Sequence, residues 1–273
     1  MVIESPRLTD ELGENKSRET MKNNIYLAAM GIAILFLSSC AQAPLQYPPY
    51  PAKEVISKPS PSTPMIRQSI THVVAPGETI WRISKMYNVK IKDIAHANNL
   101  KNPEKIKMGQ HLLVPNAAPL RAVVPLYRSK KWKYIIIHHS ATDVGSALSF
   151  DGAHHRRGFN RGLGYHFVIS NGSKGKKDGQ IEVSPRWIKQ QDGAHCKAAG
   201  MNCKGIGICL VGNFNHERVS KAQMDSLVYL VNILKKYYRI PARNILGHGS
   251  VPGANTQCPG KNFPWWQFKR QIN

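Results

Sequence analysis

Seven of the 18 prolines in this chain lie between residues 44 and 64, and they separate the N-terminal segment from the parts that are expected to fold. Proline lacks the backbone N–H that helices and sheets use, so this density favours extended, solvated chain. We therefore predict that residues 41–69 form a linker without helix or strand. The rest of the chain is long enough for one medium catalytic domain and a small module, but not for two large domains.

The segment before the prolines has the pattern of an export signal. Residues 21–40 read MKNNIYLAAMGIAILFLSSC, in which Lys22 precedes an apolar run from 25 to 37. This run fits a signal-peptide core and is shorter than the roughly 20 residues that span a membrane. Residues 1–20 are polar and aperiodic, so we expect Met21 to be the true start. A short cytoplasmic tail is the alternative.

The end of this segment, LSSC at residues 37–40, resembles the lipobox of bacterial lipoproteins. The resemblance implies that Cys40 is lipidated and anchors the mature protein to a membrane; an uncleaved signal anchor is the alternative. Ala41 stands where an aspartate would favour retention in the inner membrane. An exported, lipid-anchored protein at the outer membrane or in the periplasm is therefore expected.

The chain is strongly basic, with 38 Lys and Arg against 16 Asp and Glu and a net charge of +22. Such a charge favours anionic partners, among them nucleic acid, anionic lipid and acidic wall polymers. The sequence contains no nucleic-acid recognition motif, so nucleic acid is not an expected partner. The oligomeric state is not specified, and a monomer is the expectation.

Residues 70–116 show a β-α-α-β pattern. Apolar β-like runs at 71–74 and 112–114 flank two short stretches with helical spacing, the first capped by Thr79. PGET at 76–79, GQ at 109–110 and LVP at 113–115 resemble the LysM domain, which binds glycans containing N-acetylglucosamine. The resemblance implies a glycan site between loops 77–80 and 100–109, with contacts from Gly77, Thr79 and Ile80. Alternatively, these residues only fold the module.

Residues 131–273, which follow a second linker at 117–130, alternate strand and helix patterns. WKYIIIHH at 132–139 and GIGICLV at 205–211 are typical of buried strands. Ser220 and Gln223 form a potential capping box before an amphipathic helix that extends to Tyr238. The alternation predicts an α/β domain, with a mixed central sheet flanked by helices.

This half also contains the ligands that a zinc site needs. A catalytic zinc has three protein ligands and one open position. His138 or His139 ends the first predicted strand, His248 lies in a glycine-rich loop, and Cys258 follows ten residues later. Two histidines and one cysteine are a chemically sound zinc set.

Short segments across this half resemble N-acetylmuramoyl-L-alanine amidases of the phage-lysozyme and peptidoglycan-recognition-protein type. They are IHHSAT at 137–142, GYHF at 164–167, DGQIE at 178–182, GAH at 193–195, GIGI at 205–208, GH at 247–248 and CPG at 258–260. The resemblance implies Zn²⁺ bound by His138, His248 and Cys258. It also implies hydrolysis of the amide between N-acetylmuramic acid and L-alanine in peptidoglycan, in cell-wall remodelling or turnover.

The same resemblance assigns further roles. It places Tyr165 beside the attacking water, Thr256 near the reacting carbonyl, and His195 and Asn202 along the substrate groove. A non-catalytic peptidoglycan receptor of the same fold is the alternative, and the complete ligand set favours the enzyme.

One departure from the family concerns the residues after His248. The family commonly has Arg-Asp there, whereas this chain has Gly249 and Ser250, which would weaken the support of His248.

Three cysteines have no assigned ligand or lipid. Cys196 and Cys203 lie seven residues apart in a glycine-rich stretch of an exported domain, which allows either a disulfide or two thiols. Cys209 lies inside a predicted strand and is expected to be a small buried apolar residue.

Overall fold

The computed structural model describes residues 50–58 and 66–272. The predicted start at Met21, the export signal and Cys40 lie outside these residues. Residues Leu45–Asn273 form one compact unit. Within the described ranges, none of the helices has the length and hydropathy required to cross a bilayer.

The helices and strands follow in chain order. They are β1 (Lys53–Ile56), β2 (Gln68–Val73), α1 (Ile80–Tyr87), α2 (Ile91–Ala97), β3 (His111–Ala117), β4 (Val123–Leu126), β5 (Tyr134–His139), α3 (Ala147–Arg156), β6 (Phe167–Asn171), β7 (Asp178–Val183), α4 (Pro185–Ile188), α5 (Met201–Lys204), β8 (Gly205–Leu210), α6 (Lys221–Tyr238), β9 (Ile245–Gly247) and α7 (Trp265–Ile272).

The predicted β-α-α-β module is confirmed. Strands β2 and β3 pair antiparallel, and α1 and α2 lie between them in the chain. Helix α1 begins where the sequence predicts, because the Thr79 hydroxyl accepts from the backbone N–H of Arg82 at 3.2 Å. Ile83 and Ile94 are completely buried in the core of this module.

Residues 131–273, called the catalytic half below after their predicted role, are built on a five-stranded sheet in the order β7-β6-β8-β5-β9. Strands β6, β8, β5 and β9 run parallel, and β7 is antiparallel at one edge. The predicted mixed sheet is therefore confirmed. Helix α6 begins with the predicted capping box of Ser220 and Gln223. Its apolar stripe belongs to the same hydrophobic core as Ile135 and Ile137 of β5.

The other face of this sheet carries polar residues. Alternation along β5 directs Ile136 and His138 away from α6. Across the sheet, His138 is in register with Cys209, Cys209 with Val168, and Val168 with Glu182. Neighbouring strands are about 4.8 Å apart, so Glu182 lies roughly 15 Å from His138 along one row of the sheet.

The expectation that residues 41–69 contain no strand is wrong at Gln68 and Ser69, where β2 begins, and at residues 53–56. Residues 53–56 form β1, which pairs antiparallel with β4 in the segment 117–130 that was also expected to be a linker. None of the four residues of β1 is a proline, so their N–H groups are available for the ladder. Val55 and Val124 pack on the core of the catalytic half. Ile56 and Val123 pack on the core of the small module, so this ribbon lies between the two cores.

Candidate metal centre and substrate site

The three predicted zinc ligands lie together at one edge of the sheet. His138 ends β5, His248 follows the adjacent strand β9, and Cys258 lies in the loop before α7. One ligand atom from each residue lies within 4.8 Å of the other two. The Cys258 Sγ is 3.7 Å from the His138 Nδ1.

The neighbouring histidine faces other groups. The His139 Nδ1 accepts a hydrogen bond from the Phe214 N–H at 3.1 Å, so the lone pair of this nitrogen is not available to a metal. The backbone N–H of His139 instead donates to the Cys258 Sγ at 3.4 Å. Of the two histidines that end β5, the structure therefore directs His138 toward the ligand set.

The chemistry of these donors fits zinc. Burial, reinforced by neighbouring imidazoles, lowers the pKa of His138 well below its usual range, and burial also lowers the pKa of His248. Both rings are therefore neutral, which is the form that binds a metal. Burial raises the pKa of the Cys258 thiol to about 12, although the hydrogen bond from the His139 backbone N–H lowers it in part. A divalent cation stabilises the thiolate and completes a two-histidine, one-cysteine set.

Two hydrogen bonds in series fix the tautomer of His138. The Gly205 carbonyl can only accept, so the His195 Nε2, 3.1 Å away, carries a proton and donates it. The pKa of His195 is about 4, lowered by burial, so its ring is neutral and its Nδ1 accepts. The His138 Nε2, 3.1 Å from that Nδ1, must then donate. This leaves the lone pair of the His138 Nδ1 directed toward Cys258.

His195 was predicted to line the substrate groove, but the structure gives it a different place. It is 8% exposed, and both of its ring nitrogens are bonded within the protein. Asn202, the other predicted groove residue, accepts through its Oδ1 from the backbone N–H groups of His195 and Cys196, each at 2.8 Å. Asn202 is half-buried and fixes the loop that carries His195.

Tyr165 lies beside the ligand set, as predicted. Its ring centroid is 5.2 Å from that of His138. Burial raises its pKa well above the usual value, so the phenol keeps its proton. Cys209 is completely buried, as the sequence predicts.

His154 also contacts Tyr165, at 5.6 Å between ring centroids, and the sequence analysis did not identify it. It is buried, and its Nδ1 accepts from the Gly164 N–H at 2.9 Å. It lies on α3, for which no helix was predicted. The Ser146 capping box at the start of that helix was the available signal.

Thr256 and Gly249 shape the loop around the cysteine ligand. The Thr256 hydroxyl is exposed and accepts from the Cys258 N–H at 3.2 Å, so its own O–H remains a donor. The Gly249 N–H donates to the Cys258 carbonyl at 2.7 Å. A Cβ at position 249 would lie 2.3 Å from the Thr256 carbonyl oxygen, so the close approach requires glycine. This departure from the family therefore joins the His248 turn directly to the cysteine loop.

The predicted glycan contacts of the small module are not equivalent. Gly77 and Thr79 are exposed, whereas Ile80 is 4% exposed and belongs to the core of the module. The prediction that Ile80 contacts a ligand is wrong for this structure, because helix α1 turns its side chain inward. A Cβ at Gly77 would lie 3.2 Å from Ile188 of α4, so this loop faces the catalytic half.

The disulfide between Cys196 and Cys203 does not form in this structure. Cys196 keeps a buried thiol, which lies 3.9 Å from the Ala198 carbonyl.

Comparison with protein families gives two matches. Residues 128–261 match the N-acetylmuramoyl-L-alanine amidase family, and residues 72–115 match the LysM domain.

Individual relatives cover parts of the chain. Peptidoglycan-recognition protein 2 of Holotrichia diomphalia is 32% identical over 108 residues, which are 37% of this chain and 52% of that protein. The chain thus spans about half the length of that relative. The endolysin of Escherichia phage T7 is 33% identical over 116 residues, which are 40% of this chain and 67% of the endolysin.

A solved structure with similarity is that of the N-acetylmuramoyl-L-alanine amidase LysC from Clostridium intestinale URNW. It is 33% identical, with coverage of 53% of this chain and 89% of that one and a TM-score of 0.44.

The site is thus a candidate zinc centre of two histidines and a cysteine at one edge of a mixed sheet. The chain belongs to the N-acetylmuramoyl-L-alanine amidase family, and it also carries a LysM domain.

Proposed function

We propose that this protein hydrolyses the amide bond between N-acetylmuramic acid and L-alanine in peptidoglycan with a zinc ion held by His138, His248 and Cys258. The observation that carries the proposal is the close grouping of these three ligand atoms, within 4.8 Å, in a member of the amidase family. Zinc at this site supplies Lewis-acid chemistry, because it polarises a carbonyl and lowers the pKa of water from about 15.7 to roughly 7.

The side chains around the ligands support this chemistry. The His195 relay holds the imidazole of His138 in the tautomer that binds metal. Tyr165 keeps its proton, so it acts as a hydrogen-bond donor to the carbonyl oxygen on which negative charge develops. The exposed O–H of Thr256 is a second donor beside Cys258. The leaving amine takes its proton from Tyr165 or from water.

The rest of the chain supports a wall substrate. Peptidoglycan stem peptides carry carboxylates, which suit a chain with a net charge of +22. The LysM domain adds binding to glycans that contain N-acetylglucosamine, through the loops around Gly77 and Thr79. Export and lipidation at Cys40 place the enzyme in the cell envelope, at the outer membrane or in the periplasm, where it acts in wall remodelling or turnover.

The test is digestion of purified peptidoglycan by residues 45–273, followed by mass spectrometry of the soluble products. This fragment keeps β1, which a shorter one beginning near residue 70 would lose. Stem peptides with a free L-alanine amino terminus are expected, and they should disappear with a chelator and return with zinc. Cys258→Ser should abolish the products, whereas the matched variant Cys196→Ser changes a buried thiol outside the ligand set and should retain them.

Folded, zinc-loaded protein that binds peptidoglycan and releases no peptide would contradict the proposal. That result would identify the protein as a receptor of the same fold.

A further inference from the structure

A buried lysine of the catalytic half reaches into the LysM domain. Lys176 lies in the turn between β6 and β7 and is 7% exposed. Its ammonium donates to the carbonyl of Val73, the last residue of β2, at 2.9 Å. A buried ammonium is unfavourable unless it is paired, so this lysine is stable here through specific partners.

The charged partner of Lys176 is the carboxylate of Glu182 in β7, which is completely buried. The Glu182 Oε2 lies 3.3 Å from the lysine Nζ, an ion pair rather than an aligned hydrogen bond. The Glu182 Oε1 accepts from the N–H of Ala147 at 2.9 Å. Ala147 is the first residue of α3, where the backbone N–H groups lack partners within the helix. One carboxylate therefore contacts both Lys176 and the start of α3.

Helix α3 connects this ion pair to the candidate site. His154 lies seven residues after Ala147, about 10 Å along the helix axis. Its ring contacts Tyr165, and Tyr165 in turn contacts His138. His154 also accepts from the N–H of Gly164, the residue before Tyr165, so α3 is bonded to the segment that carries Tyr165.

A second contact fixes the LysM domain against the catalytic half. The ribbon of β1 and β4 contributes Val55 and Val124 to one core, and Ile56 and Val123 to the other. The LysM domain is therefore packed in place, and Lys176 meets Val73 in a fixed arrangement.

We propose that Lys176 and Glu182 are positioning residues through which the docked LysM domain holds α3, and with it Tyr165, in the geometry that cuts the substrate. The LysM domain is then part of the catalytic unit in addition to being a wall anchor. This proposal rests on the proposed amidase function.

The test compares two substrates, insoluble peptidoglycan and a soluble muramyl peptide too small to need a wall anchor, with the fragment 45–273 loaded with zinc. Lys176→Met should lower kcat on the soluble peptide by roughly 2- to 30-fold, the range of measured couplings between sites, with little change in KM. Lys177→Met is the matched control, because Lys177 is the adjacent lysine and is exposed. Lys177→Met should leave kcat unchanged. Lys176→Arg keeps the positive charge, so it should keep most of the wild-type kcat.

A LysM domain that serves as an anchor alone gives a different result. Lys176→Met would then cut the soluble peptide at the wild-type rate and lose activity on the insoluble wall alone, which would overturn the proposal. If Lys176→Met fails to fold, the double variant Lys176→Met, Glu182→Gln removes the charge of both members of the ion pair. It should show the same loss of kcat, and a wild-type kcat would again overturn the proposal.

Hydrogen exchange distinguishes a failure of this proposal from a failure of the proposed amidase function. Amides of residues 147–156 should exchange faster in Lys176→Met than in Lys177→Met, whether or not the wild type cuts peptidoglycan. Unchanged exchange there would refute the coupling. A wild-type protein inactive on both substrates would refute the amidase function alone.

Discussion

Replacing His195 tests whether the relay behind His138 sets the affinity for zinc. His195 accepts from the His138 Nε2 and donates to the Gly205 carbonyl, each at 3.1 Å. Its ring also packs on Gly207, where a Cβ would lie 2.4 Å from the imidazole. Leucine at position 195 keeps most of the volume but makes neither hydrogen bond.

The expected magnitude follows from the loss of this outer support. Partners of metal-bound histidines typically change metal affinity by roughly 10- to 100-fold, which is about 1.4–2.7 kcal/mol. His195→Leu should weaken zinc binding by this factor, because His138 is no longer held in the tautomer with a free Nδ1. His195→Gln is the matched variant. Its amide has an acceptor and a donor with nearly the spacing of the two imidazole nitrogens, so it should bind zinc almost as tightly as the wild type.

The assay is competition for zinc with a chromogenic chelator, at neutral pH, on the fragment 45–273. Thermal unfolding in the presence of a chelator measures the stability of the metal-free variants separately. This control is needed because the Gly205 carbonyl loses a partner, which costs about 1–3 kcal/mol when the group stays buried. Equal zinc affinities for wild type and His195→Leu would refute the reasoning, and so would equal losses for the leucine and glutamine variants.

Three further predictions concern other parts of the chain. Tyr165→Phe should lower kcat by about 10²- to 10³-fold at unchanged zinc content, since it removes one donor to the developing oxyanion; a loss under about 5-fold would contradict this role. Burial opposes ionisation of Glu78, but the hydrogen bond and charge of His72, together with the charges of Arg82 and Lys176, outweigh it and lower the pKa from 4.5 to about 2. This stabilisation, of up to about 3 kcal/mol, is complete above pH 4.5 and is lost as the pH falls toward 2. Melting temperatures should therefore fall over this range in the wild type and less in Glu78→Gln, and parallel curves would exclude this assignment. Removal of residues 45–58 should lower the melting temperature by roughly 4–8 °C, because about 2 kcal/mol of burial by Val55 and Ile56 is lost; an unchanged value would show that β1 is dispensable.

Local patterns in the sequence determined the elements whose evidence lies within a few residues. The Ser220 capping box, the Thr79 cap and the alternation of strands and helices are short-range features, and each is present where it was predicted. The identities of His138, His248 and Cys258 were also readable, because zinc accepts few residue types and the family motifs carry them.

The tertiary structure decided the features that depend on distant residues. Strand β1 exists because its partner, some 70 residues later, supplies a ladder that no local pattern shows. The role of His195 depends on a carbonyl and an imidazole that meet its two ring nitrogens after the sheet has formed. The pairing of Lys176 with Val73 and Glu182 likewise joins separate elements. Residue types limit the chemistry, whereas long-range packing determines which groups meet and therefore which residues act on one another.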